Sequence, residues 1–289
     1  MASRVRQSGR NEAGSSESFR RDRVYRHSVL VRATHWINLV CMTVLLMSGL
    51  QIFNAHPALY WGDRSDFDSP ILAIGAERDA AGQGAGVTTV LGRTFDTTGV
   101  LGLSGGADIQ EPRAFPAWAT LPSSQWLAMG RRWHFFFAWI FVVNGAAYLL
   151  YGLARGHFRR DFLPSGWDLR HIGRSVWDHL RLRFPRGEEA KRYNVLQKIT
   201  YLAVVFVLVP LIVLAGLSMS PRIDAGFPWL PALFGGRQSA RTVHFVCAFA
   251  LLGFVAVHIV MVLLSGVWNN MRAMITGWYD LGDPGGDRG

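Results

Sequence analysis

The sequence predicts an all-α integral membrane protein built on a bundle of four transmembrane helices. Three observations carry this. Half of the 289 residues are hydrophobic and 17% are charged, low against the roughly 25% of a soluble domain. Four stretches are long and apolar enough to cross a bilayer, which takes roughly 20 residues of helix. The net charge of +10 is carried almost entirely by Arg and clusters beside those stretches. That distribution explains the charge by membrane topology and leaves no role for nucleic acid.

The clearest span is the last, Thr242 to Met271, thirty residues without Asp, Glu, Lys or Arg. The other spans are expected at about 33–53, 127–153 and 197–220, with the fourth at about 241–266. Pro210 should kink the third. Before the first span lies a polar tail, 1–28; after the last lies another, 281–289. The domain proper is expected over 29–280. Between the first two spans lies an insertion, 62–120, with eight acidic residues against four Arg and short β-like runs such as Val87–Leu91, which suggest hairpins. Its Gly82-Gln-Gly84-Ala-Gly86 run lacks the Lys-Ser/Thr and strand–helix context of a phosphate loop. The loop 155–194 has nine Arg, with Leu169, Ile172, Val176 and Leu180 at helical spacing. It is expected to form an amphipathic helix lying on the membrane or packed on the bundle.

Four spans put both termini on one side. Arg enrichment of the N-terminal tail and of 155–194 places that side in the cytoplasm, and the insertion in the periplasm of a bacterial inner membrane. Cys41 and Cys247 both lie in apolar spans, and no C-x-x-C-H motif for covalent haem attachment occurs.

The histidines then sort by depth. His244 and His258 are fourteen residues apart, which returns a helix to within about 40° of its starting direction and about 21 Å along its axis. Span one runs outward, so His35 lies at the inner level with His258. Span two runs inward, so His134 lies at the outer level with His244. Two matched pairs on facing helices are what bis-histidine ligation of iron porphyrin needs, and ionisable groups inside a membrane are functional candidates. The competing reading is four histidines hydrogen-bonded in the core. Gly49 and Gly216 are expected to make room near the outer pair. Arg132 and Arg241 near the outer pair, and Arg32 near the inner, are candidates for the haem propionates. His56, His157, His171 and His179 receive no chemistry.

Arg32-x-x-His35-Trp36, Trp133-His134 and His244-x13-His258 resemble the di-haem cytochrome b superfamily, which includes the membrane subunits of nickel–iron hydrogenases and the bacterial cytochrome b561 group. Tyr193-Asn194-Val195-Leu196-Gln197-Lys198 and Phe234-Gly235-Gly236-Arg237-Gln238 look closest to the thiosulfate reductase cytochrome b branch. The resemblance implies two non-covalent haem b groups, exchange with ubiquinone or menaquinone, and a separate catalytic subunit, typically a molybdopterin oxidoreductase. The chain is then an electron-transfer subunit rather than the catalytic one. Tyr193, Asn194, Gln197 and Lys198 are quinone candidates, with helix capping as the alternative. Two other functions stay open: a stand-alone oxidase or reductase acting on a small acceptor such as superoxide, and a transporter with histidine proton relays.

Overall fold

The computed structural model describes residues 23–78, 82–105, 110–156 and 195–280. The amphipathic helix expected within 155–194, Tyr193, Asn194 and the two terminal tails fall outside these residues. Of Gln197 only the helical backbone is described.

Among the described residues four helices have the length and composition to cross a membrane: Val29–Asn54, Leu127–Ala154, Lys198–Ser218 and Arg237–Leu264. They are called the first to fourth spans. A helix satisfies its own backbone, so it can cross hydrocarbon without unpaired amides. Large apolar side chains such as Phe136, Trp139 and Val143 of the second span and Val257 and Leu263 of the fourth point outward. That is the pattern of a bundle whose outer solvent is lipid. The first span packs along the second and the third along the fourth.

The third span is irregular where Pro210 dictates. Helix Val195–Ala203 passes through a π turn, Val204–Leu208, into helix Val209–Ser218. Proline has no N–H and its ring crowds the carbonyl four residues back, and the wide turn relieves both.

The fourth span is shorter than its charge-free run. It ends at Leu264, Gly266 adopts φ +100°, and a separate helix, Val267–Thr276, follows. Strand β1 (Arg23–Tyr25) then pairs antiparallel with β8 (Trp278–Asp280). This clasp puts the chain before the first span and after the last on one side of the bundle. It is tightened by Arg26 over the Tyr279 ring at 4.9 Å and by Trp36 Nε1 donating to Met274 O at 3.1 Å.

At the opposite end the insertion forms a four-stranded antiparallel sheet in the order β2 (Ala58–Leu59), β3 (Leu72–Arg78), β4 (Gly84–Val90), β5 (Arg93–Asp96). A hairpin of β6 (Gly102–Gly105) and β7 (Gln110–Arg113) accompanies it. The glycine-rich run thus lies largely in strand β4. Phe53, Leu59, Ile74, Ala114 and Phe115 make one buried core that joins the sheet to the end of the first span. Phe245 of the fourth span packs on it, 4.8 Å from the Phe53 ring.

Candidate functional site

The bundle brings the four intramembrane histidines together two by two. The rings of His134 and His244 lie 6.1 Å apart between centroids, and those of His35 and His258 lie 6.3 Å apart. Each pair takes one ring from the fourth span. The other ring comes from the second span at the sheet end and from the first span at the clasp end.

The outer pair is oriented by backbone carbonyls of neighbouring spans. His244 Nδ1 donates to Ile212 O at 2.8 Å. His134 Nδ1 lies 3.2 Å from Leu45 O and 3.1 Å from Ser48 Oγ. The Ser48 hydroxyl already donates to Val44 O at 2.6 Å, so toward His134 it accepts. In both rings Nδ1 therefore carries the proton and Nε2 is left with a lone pair. A histidine that binds a metal through Nε2 is held in just this way, its other nitrogen donating to a carbonyl.

Two glycines let the rings approach those carbonyls. A Cβ on Gly216 would stand 3.1 Å from His244 Cε1 and 3.2 Å from its Nδ1. One on Gly49 would stand 3.4 Å from His134 Cε1. The sequence pointed to these positions as room for a porphyrin; here each seats an imidazole. Ser48, fully buried, had no signal in the sequence beyond its place next to Gly49.

The inner pair is set by packing instead. His35 Nδ1 is buried with no hydrogen-bond partner. Trp36 meets the His35 ring edge-on at 5.5 Å, and Phe254 stacks on His258 at 6.2 Å. Nearby, Asn144 of the second span is buried and donates to Thr34 O at 3.0 Å and Asn38 Oδ1 at 2.7 Å.

The arginines differ. Arg32 donates to Ile275 O at the end of the Val267–Thr276 helix, while its Nε is buried without a partner. Arg241 donates to His56 O, and its guanidinium lies 5.5 Å from the Phe53 ring centre. Arg132 is exposed. Among the quinone candidates, Lys198 sits half-buried at the clasp end of the third span, one turn before Tyr201, whose hydroxyl meets that of Tyr148.

These residues fit an iron porphyrin. Each ring pair has the separation of two imidazoles bound to one metal from opposite sides, since each metal–nitrogen bond is about 2 Å. Among the described residues no group of three or more His, Cys, Asp or Glu could hold a bare metal ion.

Comparison with known proteins agrees with this chemistry. The chain is 29% identical over 251 residues, covering 87% of this chain and 96% of the relative, to "Putative protein-methionine-sulfoxide reductase subunit YedZ1" of Azospira oryzae. No solved structure matches it. The family model described as prokaryotic cytochrome b561 matches residues 26–277, nearly the whole described bundle. With four candidate membrane-spanning helices and paired histidines inside them, the chain belongs to the prokaryotic cytochrome b561 family, whose cofactor is haem b.

Proposed function

We propose that this protein holds two haem b groups, one between His134 and His244 and one between His35 and His258. On this reading it carries electrons across the membrane between a quinone and a redox enzyme on the insertion side. One observation carries it: two histidine pairs of nearly equal separation, 6.1 and 6.3 Å, at the two ends of one bundle. Their ligands on the fourth span are separated by about 21 Å of helix rise, so the two sites lie toward opposite membrane faces.

Haem b supplies a one-electron iron couple at each site. The protein's own part is ligation, orientation and exclusion of water. His134 and His244 are fixed by carbonyl hydrogen bonds, and His35 and His258 by aromatic contacts. Lys198 marks the clasp end of the third span, facing the cytoplasm, as where a quinone would exchange; Tyr193, Asn194 and Gln197 are candidates with it from the sequence alone. Arg enrichment of the N-terminal tail and of 155–194 supports that orientation. On the opposite side the partner is a molybdopterin oxidoreductase. The name of the Azospira relative points to protein-bound methionine sulfoxide as that partner's substrate, with electrons flowing outward from quinol. Reducing one sulfoxide to the thioether and water consumes two electrons and two protons, hence two passages through this chain.

The test is the reduced-minus-oxidised visible spectrum of the purified protein with pyridine haemochrome quantitation. Two b haems per chain are expected, falling to about one in His134→Ala, His244→Ala, His35→Ala or His258→Ala. A double substitution within one pair should remove no more than its single substitutions. A folded but colourless protein under haem-replete expression overturns the reading.

A further inference from the structure

Where the chain leaves the first span it folds a histidine back toward the outer pair. His56 is half-buried, and its Nε2 has neither solvent nor a hydrogen-bond partner. Arg241, one turn before His244 on the fourth span, reaches the same place and donates to the His56 carbonyl. Tyr60 and Phe67 close the other sides, their rings 5.6 and 6.0 Å from the imidazole. The Tyr60 carbonyl is held in turn by Thr242 Oγ1 at 2.7 Å, so this loop is fixed to the helix that carries His244.

A buried imidazole nitrogen without a partner costs about 1–3 kcal/mol. Beside a guanidinium, the chemistry that would satisfy it is an anion with two oxygens, a carboxylate. Among the described residues, the charged and titratable groups that interact with His56 are Arg241 from the fourth span and Tyr60 from its own loop. Neither His56 nor Arg241 forms an ion pair among the described residues.

We propose that His56 and Arg241 together bind a propionate of the haem held by His134 and His244, His56 donating to it from Nε2, and that His56 gains a second proton, at Nδ1, when that iron is reduced and loses it on reoxidation. This rests on the function proposed above. Burial, and after it the Arg241 charge, hold the imidazole below the ordinary histidine range when it is alone. A carboxylate at Nε2 opposes both effects and brings the group back toward neutral pH. Reduction adds one electron, from quinol by way of the inner site or from dithionite in vitro. That negative charge raises the proton affinity of His56 further, so up to one proton enters from solvent with the electron. The midpoint of the outer haem must then fall as pH rises between the two His56 titrations. No acceptor other than the iron and no base other than His56 is needed.

The experiment is spectroelectrochemical titration of the full-length protein in detergent between about pH 5 and 8, where histidines titrate. The outer component is identified as the one missing in His244→Ala. In the wild type that midpoint is expected to fall with pH while the inner one changes less. In His56→Gln both haems remain and the outer slope flattens. An outer midpoint that is flat in the wild type, or that keeps its slope in His56→Gln, overturns the proposal; the wild-type arm decides even where the variant fails to fold. A wild type lacking two haems would instead sink the functional reading beneath it.

Discussion

His244 donates from Nδ1 to the carbonyl of Ile212 at 2.8 Å, one turn before Gly216, whose missing side chain leaves the ring its space. His134 repeats the arrangement on the first span, with Leu45 as the carbonyl and Gly49 one turn on. Both outer rings are thus seated on the backbone of the span antiparallel to their own. A glycine four residues after the accepting carbonyl removes the Cβ that would otherwise cover it.

The two seats differ in tightness, and the difference is measurable. A Cβ on Gly216 comes within 3.1 Å of the His244 ring, so the ring must give by a few tenths of an ångström. On Gly49 the nearest approach is 3.4 Å, ordinary contact. Gly216→Ala should lower outer haem occupancy while Gly49→Ala stays close to wild type. Gly216→Val, which adds two further methyl groups at the same contact, should lose the outer haem altogether. Pyridine haemochrome per chain reads all three.

Ser48 shares the His134 proton with Leu45 but does not monopolise it. Ser48→Ala removes one acceptor and leaves the carbonyl, so the loss should be about 1 kcal/mol. Two haems per chain should remain, with the outer one released at a lower temperature than in the wild type. Thermal bleaching of the Soret band, set against loss of helical circular dichroism, separates haem release from unfolding.

How much of this was legible in the sequence follows from which interactions leave a periodic trace. The four spans were legible because lipid demands apolar length, and the proximity of His134 to His244 and of His35 to His258 followed from depth and helix geometry. The fourth span was expected to end near 266 and ends at Leu264, but the break there was not legible in the charge pattern. Ser265–Met271 carries no charge, yet Gly266 turns the chain and Val267–Thr276 is a separate helix; absence of charge marks what lipid tolerates, not where a helix stops. His56 was invisible as well. It is a loop residue, brought to Arg241 only by the fold of the insertion on the bundle. Arg32 and Arg241 were noticed for their charge, but their carbonyl partners, Ile275 and His56, are far away in sequence and left no pattern there.

The joint between insertion and bundle rests on Gly236. It has φ +124°, and a Cβ there would lie 2.4 Å from Asp63 Oδ1 and 2.6 Å from Asp63 N. Immediately after it, Gln238 N and Ser239 N donate to Gly62 O at 2.9 and 3.1 Å, and Gly62 N donates to Ser239 Oγ at 2.7 Å. Gly236→Ala has both a forbidden backbone conformation and a backbone collision, so these bonds must open. Limited proteolysis should cut within 60–66 faster than in the wild type, while the inner haem, at the other end of the bundle, keeps its spectrum.

Arg113 organises the insertion where it meets the first span, which it reaches through Gln51. Its side chain is 2% exposed and spends its donors on five partners: Phe115 O, Ser123 O, Gln51 Oε1, Thr120 Oγ1 and Glu111 Oε2. Glu111 is half-exposed and screened, so the ion pair itself adds little. The weight lies in Phe115 O, Gln51 Oε1 and Thr120 Oγ1, buried carbonyl, amide and hydroxyl oxygens that lose their donor together in Arg113→Met. Each buried polar group left without a partner costs about 1–3 kcal/mol, with partial recovery where water enters. Arg113→Met should therefore lose about 3 kcal/mol or more, whereas Glu111→Gln should lose less than 1 kcal/mol. Gln51 also packs beside Gly130, one turn before His134. Destabilisation through Arg113 should accordingly reach the outer haem before the inner, and thermal unfolding followed at the haem bands would show the outer component bleaching first.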